Sequence, residues 1–438
     1  MAEGPKKELS LFDSTCIIVG IIIGVGIYET APIVAAAMGS WARTLAVWLA
    51  GGILALSGAL CYAELATAYP QSGGDYVYQS RAYGSWAGYL FGWTQMVIIR
   101  PADIALMSFI FARYGQTFFS FGKDNQLFYA AAAVMVLTTI NLLGVKEGKW
   151  TQNFLTVLKA LGLLGIVVAG FSSPGRAPAP LQSPGPDMSG LELALILVLF
   201  TFGGWNEMAY VAAEVRRPQR NIVRALMAGT VVVTALYLLI NGAFLYALGH
   251  AQMAASSAVA VDTIATVFPD AAVKAIAVLI TVSALGAANG LIFTGARISY
   301  ALGSEHIAFR ALGRWNRRLG TPVHALLFQG ALSLAIVFFA GSFINTILYT
   351  APAVWLFFLA TGFSVFRLRR KEPQTPRPYK VSAHPLTTSL FCASCIFMLY
   401  SSISYAFKYK PIGLLLLLIV LLIGGLIFWL TGLRKALR

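Results

Sequence analysis

Two glycine-rich stretches, each ending in a carboxylate, are the residues best placed to do chemistry. One reads Gly20-Ile-Ile-Ile-Gly24-Val25-Gly26-Ile-Tyr28-Glu29, the other Phe200-Thr201-Phe202-Gly203-Gly204-Trp205-Asn206-Glu207. A helix that breaks and restarts presents free N–H groups and a partial positive charge to an anion. The half-helix before the break presents carbonyls to a cation. Two such breaks facing each other would hold a ligand with one charge of each sign. The plainer alternative is that Gly20-x-x-x-Gly24 and Gly203-Gly204 only let helices pack closely.

Other ionisable groups sit in apolar surroundings, where a central charge costs at least ~2.5 kcal/mol and needs a partner or a task. Lys159, in Leu158-Lys159-Ala-Leu-Gly, lies about two turns inside its segment, so its ammonium either snorkels to the interface or points inward. Glu29 and Glu207 follow the two breaks. They are read either as ligand- or proton-carrying acids or as structural hydrogen-bond acceptors. Arg100 and Asp103, at i and i+3, are expected to face one another as a structural pair. Glu64 and Glu214 are read as gate-side ion pairs or as solvated helix ends. Trp205 and Tyr28 fit a cavity wall, a core or a lipid belt. Cys16, Cys61, Cys392 and Cys395 read as buried structural thiols. No His-Glu-x-x-His or Gly-x-Ser-x-Gly pattern occurs, so neither an enzyme nor a resident metal or cofactor is expected.

The elements that position these residues are membrane spans. Of 438 residues, 58% are hydrophobic and 11% charged, far from the ~25% charged residues of a soluble surface. Lipid offers backbone groups no water, so the chain must cross it as helices of about 20 apolar residues. An all-α polytopic membrane protein is the expected fold. Twelve runs qualify, roughly at 14–38, 44–68, 86–112, 127–144, 153–171, 189–213, 222–248, 272–298, 322–341, 344–366, 386–407 and 411–432. The first is expected to be retained as a span and not cleaved as a signal peptide. The net charge of +15 is topological. Twenty-three of the 32 lysines and arginines fall on one side when both termini are placed in the cytoplasm, and seven on the other. Anionic lipid is the expected neighbour of these charges, and nucleic acid is not expected as a partner.

The two glycine breaks lie five spans apart, the pattern of an inverted-repeat transporter with a midplane site. Residues 1–171 would form the first repeat, 172–188 an outer linker, 189–371 the second repeat, and 372–438 two added helices with a cytoplasmic C-terminus. Five further stretches carry a family resemblance: Gly58 to Leu65 with Pro70 to Tyr76, Ile98 to Pro101, Glu214 to Asn221, Gly286 to Arg297, and Arg367 to Pro373 with Arg377-Pro378. In this order and over nearly the whole chain, the sequence resembles the amino acid/polyamine/organocation transporters, most closely their L-type amino acid transporter branch, with a prokaryotic source favoured.

The resemblance implies alternating access by a ten-helix core of two inverted repeats with two extra helices, a multi-pass protein of the cell membrane. It implies an amino acid substrate, neutral in the sense of an uncharged side chain, exchanged or moved with protons and without sodium. The carboxylate would sit on Gly24, Val25 and Gly26, and the ammonium on carbonyls near Ile21 and from Phe200 through Thr201 and Phe202 to Gly203. Phe200 would close over the substrate, with Trp205 and Glu207 beside it. Lys159 would donate to the first break near Gly20 and to a hydroxyl such as Ser283, replacing a coupling cation, with Glu29 and Asn289 also in the coupling apparatus. Val25 departs from the small residue that many relatives carry. The loop after span 3 lacks the cysteine that links animal relatives to a heavy subunit, so no obligate disulfide-linked partner is expected. The competing readings are a carrier of cationic amino acids or polyamines, favoured by Glu29 and Glu207, and a non-transporting receptor or scaffold.

Overall fold

The computed structural model describes residues 5–116, 125–175, 188–340, 343–409 and 411–436. The helices are α1 Leu11–Ile22, α2 Gly26–Met38, α3 Trp41–Ala68, α4 Asp75–Tyr83, α5 Ser85–Thr94, α6 Arg100–Gly115, α7 Asn125–Leu143, α8 Val145–Ser172, α9 Met188–Thr201, α10 Pro218–Ala255, α11 Val259–Ala265, α12 Ala272–Glu305, α13 Val323–Ala340, α14 Phe343–Lys371, α15 Leu386–Tyr409 and α16 Pro411–Ala436. A five-residue π turn, Gln95–Ile99, joins α5 to α6, and a 3₁₀ segment, Trp205–Glu214, follows α9.

Among the described residues, ten helical stretches are long and apolar enough to cross a membrane, and α1 with α2 makes an eleventh span bent by 50°. The twelfth expected run, 322–341, forms α13, Val323–Ala340, and residues 341 and 342 lie outside the described residues. Most of the expected outer linker, 176–187, lies outside the described residues.

The outer surface is apolar, and the apolar interior encloses a set of charged groups. Only 17% of the hydrophobic stretch Gly413–Thr431 is buried, which leaves α16 facing lipid. Inside lie Lys159, Arg100, Arg297, Glu64, Glu207 and Glu214, all buried. Small residues let the helices approach closely enough to enclose these groups. A Cβ on Gly170 would stand 2.8 Å from the Cβ of Ala243 on α10, and one on Gly229 would stand 2.8 Å from Ile18 on α1.

Each break has a local cause. Helix α1 starts at a capping box in which Ser10 and Asp13 bind each other's backbone N–H. It ends at Ile22, and α2 restarts at Gly26 with Val25 as an N-cap that offers no side-chain acceptor. The first N–H groups of α2 therefore have no partner within their helix. A Cβ on Gly26 would meet the Thr201 hydroxyl at 2.9 Å, so glycine permits the two breaks to touch. Helix α9 stops at Thr201, and Gly204 adopts φ 108°, a left-handed conformation that favours glycine.

At the end of the bundle that carries the N-terminus, the chain is stitched shut. Leu9 N donates to Glu214 O at 2.9 Å and Arg216 N to Leu9 O at 2.8 Å, joining the entry to α1 with the exit of the 3₁₀ segment. Arg297 on α12 donates two bonds to Glu214, at 2.8 and 3.0 Å. Arg369 does the same to Glu64, at 2.8 and 2.5 Å, and Val381 N adds a third bond to that carboxylate at 2.7 Å. Of the two readings of Glu64 and Glu214, the buried ion pair is the one observed.

Candidate functional site

The breaks and the helices facing them enclose a cavity of about 210 Å³. That is below the ~300–1,000 Å³ of pockets for drug-sized ligands and suits a single small molecule. Ile21, Gly24, Val25, Gly26, Phe200, Thr201, Gly203, Trp205 and Glu207 all line it, as do Arg100 and Asp103 from α6. Phe200 is 43% exposed, the most open of the aromatic residues in this wall.

Phe202 is placed elsewhere. Its ring is fully buried between Trp48 and Tyr237, with centroids 6.2 and 5.1 Å away. The physical reason is helical phase: two residues turn a side chain by about 200°, so Phe200 and Phe202 point in opposite directions.

Lys159 points inward and is fully buried. Its ammonium donates to Gly20 O at 2.7 Å, Ile23 O at 2.9 Å and Ser283 O at 2.9 Å, which uses all three of its protons. It thereby ties α8 to the first break and to α12. The acceptor on α12 is the Ser283 carbonyl and not its hydroxyl, and the hydroxyl itself donates to Ile23 O at 3.0 Å. Both groups of Ser283 thus serve the break.

Asn289 does not reach the cavity. It accepts from Asn141 at 2.8 Å and donates to Gly148 O and Gln152 Oε1 at 3.1 and 3.0 Å, clamping α7, α8 and α12 together. Glu29 is exposed and accepts from the Tyr114 hydroxyl at 3.0 Å.

The expected Arg100–Asp103 pair is not formed. Arg100 donates to Glu207 at 2.7 Å and to Gln95 at 3.0 Å and lies over the Tyr210 ring, 5.0 Å from its centroid. Glu207 takes its second bond from Thr294 at 2.6 Å. The π turn immediately before Arg100 widens the helix, and α6 presents its guanidinium to the second break instead of along its own face.

Tyr237 on α10 is a residue that sequence reasoning missed. Its hydroxyl lies 2.9 Å from Ile22 O and 3.4 Å from Thr201 O, touching the last carbonyls of both half-helices. A lone tyrosine in an apolar span gives no local signal for that role. Among the described residues, no group of His, Cys, Asp or Glu side chains is placed to hold a metal ion.

The arrangement sets the start of α2 on one side, the carbonyl ends of α1 and α9 on the other, and an aromatic at the rim. The pattern of the Amino acid permease family matches residues 9–431. The chain is 33% identical over 436 residues to b(0,+)-type amino acid transporter 1 of Mus musculus, covering 97% of this chain and 87% of that one. It is 30% identical over 408 residues to the serine/threonine exchanger SteT of Bacillus subtilis (strain 168), with 92% of each chain covered. It is 33% identical over 419 residues to large neutral amino acids transporter small subunit 2 of Mus musculus, covering 90% of this chain and 77% of the relative. With apolar helices along its length and a family match spanning nearly all of it, this chain belongs to the amino acid permease family and is a multi-pass membrane protein.

Proposed function

We propose that the protein is a sodium-independent transporter that exchanges amino acids across the cell membrane by alternating access. The observation that carries this reading is the pair of helix breaks facing one cavity. The start of α2 at Gly24, Val25 and Gly26 receives the substrate carboxylate, and the carbonyl ends of α1 and α9 receive its ammonium. Apolar neighbours such as Ile99, Leu106, Leu291 and Val354 suit an uncharged side chain. The names of the relatives, an exchanger and amino acid transporters, support the same reading.

The two breaks in spans five apart suggest two inverted repeats, 1–171 and 189–371, that rock against each other. The sealed end, with its Arg297–Glu214 and Arg369–Glu64 pairs, is then the cytoplasmic one, in keeping with the basic residues on that side and with both termini there. Phe200, exposed at the rim, is the group that folds down over substrate. Lys159 stands where a coupling cation would otherwise join the first break to α12, and its fixed charge leaves sodium no place. No disulfide-linked heavy subunit is required, since the loop after α6 contains no cysteine.

Counterflow in liposomes tests this reading. Protein reconstituted without sodium should accumulate labelled amino acid against an internal pool of unlabelled amino acid. A strict sodium requirement, or binding without any flux, would refute it and favour the receptor reading.

A further inference from the structure

We infer that the cleft between α4 and α14, at the sealed end of the bundle, is a binding site for one anionic phospholipid, which braces the two helices from outside. Basic loops in general attract anionic lipid, and the cleft turns that attraction into one defined seat. The site stands whether or not the protein transports, because it needs only a membrane around the chain.

The cleft is open and has a volume of about 770 Å³. Tyr83 on α4 forms one wall, and Phe363, Phe366, Arg367, Arg370 and Lys371 on α14 form the other. These five stand at i, i+3, i+4, i+7 and i+8, so they make a single stripe along the helix. Rings occupy the half of the stripe towards mid-span and cations the half towards the helix end. That is the order of acyl chain and headgroup in one leaflet. Trp86, exposed near the start of α5, donates to Tyr83 O at 3.0 Å and marks the interfacial level at which tryptophan gathers.

The cations are free to serve something outside the chain. Arg367 and Lys371 are held by α4, through bonds of 2.6 Å to Ala82 O and 2.7 Å to Arg81 O. Each keeps further N–H groups for a ligand. Arg370 is exposed and makes no ion pair or hydrogen bond among the described residues. No carboxylate lines the cleft. The next residue along, Glu372, is engaged elsewhere, accepting from Tyr69 at 2.9 Å and from Arg81 at 3.5 Å. Three positive charges and three aromatic rings thus line one opening, and an anion with an apolar tail satisfies both. Free phosphate would meet the cations and leave the exposed Phe363 ring in water, which is why a lipid is the occupant. Arg369, the neighbour of Arg370, turns the other way and closes the sealed end through Glu64. A lipid joining α4 to α14 therefore supports that seal.

Native mass spectrometry of the purified protein in neutral detergent, titrated with phosphatidylglycerol or phosphatidylcholine of identical acyl chains, tests this. Phosphatidylglycerol should be retained as a single adduct, at least about tenfold more tightly than phosphatidylcholine. Arg370→Gln with Lys371→Gln should cut its affinity by about thirtyfold, the share of two basic residues beside an anionic headgroup. Arg370→Gln alone, at an exposed position where folding is not at stake, should cut it by about fivefold, and Arg370→Lys should leave it unchanged. Phe363→Ala with Phe366→Ala should weaken both lipids alike, because the rings hold the part that the two lipids share. Arg314→Gln with Arg317→Gln, two exposed arginines in the connection from α12 to α13, should have no effect. A loss there equal to that at Arg370 and Lys371 would reveal diffuse attraction without a seat and overturn the inference. Equal binding of the two lipids by the native protein would overturn it too. Displacement of the lipid by soluble glycerol phosphate would reassign the cleft to a free anion and remove the lipid from it.

Discussion

Replacing Lys159 with alanine should cut amino acid exchange by roughly two orders of magnitude or more while leaving a folded protein. The ammonium makes three charge-assisted hydrogen bonds, to Gly20 O, Ile23 O and Ser283 O. Bonds to a charged group contribute about 1.5–3 kcal/mol each, so losing even one or two from a closed state changes its population by a factor of this size. The two carbonyls on α1 belong to the half-helix that ends at the substrate site, so the loss acts on the geometry of the break itself. The apolar helix contacts around it remain, which is why folding should survive. Arginine is no substitute, because its planar fork cannot reproduce three convergent bonds from one atom. An independent variant makes the same point: a Cβ on Gly286 would stand 2.9 Å from the Lys159 ammonium, so Gly286→Val should displace the lysine and slow exchange in the same way. Initial rates in liposomes and gel filtration of each variant check this. An alanine variant of unchanged rate would show that Lys159 has no part in transport.

The second large effect is expected at the sealed end. Glu214→Gln leaves the Arg297 guanidinium, fully buried, without its carboxylate. Breaking one side of a buried pair costs about 3–5 kcal/mol, because the remaining charge has lost its compensation. Arg297 keeps only its bond to Phe293 O and its place over the Phe293 ring, which do not balance its charge. The melting temperature should fall sharply. The double variant Glu214→Gln, Arg297→Met should regain most of that stability, since no buried charge is left alone. It should still exchange slowly, because the seal that must form and break in each cycle is gone. A single variant as stable as the native protein would mean that the pair is not a closed, dry contact.

Much of this was legible in the sequence, and what was not has a common cause. Glycines in mid-span, such as Gly26 and Gly204, announce a broken helix because a side chain fits poorly with the close approach at the first and the left-handed backbone at the second. Lys159 announced an inward role because a charge that deep needs partners. The ion pairs were harder. Arg100 was expected to meet Asp103 because residues three apart share a helix face. Its actual partner, Glu207, lies 107 positions away and is chosen by packing, which no local pattern reports. The same holds for Tyr237, 215 positions from the Ile22 carbonyl it serves. Phe202 was grouped with Phe200 by adjacency, when the helical phase already assigns the two to opposite faces.

The central claim is that the two helix breaks bind the charged groups at the α-carbon of an amino acid. It is tested most directly by counterflow competition between an amino acid and its decarboxylated amine, with the side chain held constant. The helix start at Val25 and Gly26 offers its N–H groups to an anion, so the amino acid should compete at concentrations at least about a hundredfold lower than the amine, the equivalent of one lost charge-assisted bond of 2.7 kcal/mol or more. An amine that competes as well as its parent amino acid would contradict this account, because the breaks would then have no carboxylate to hold.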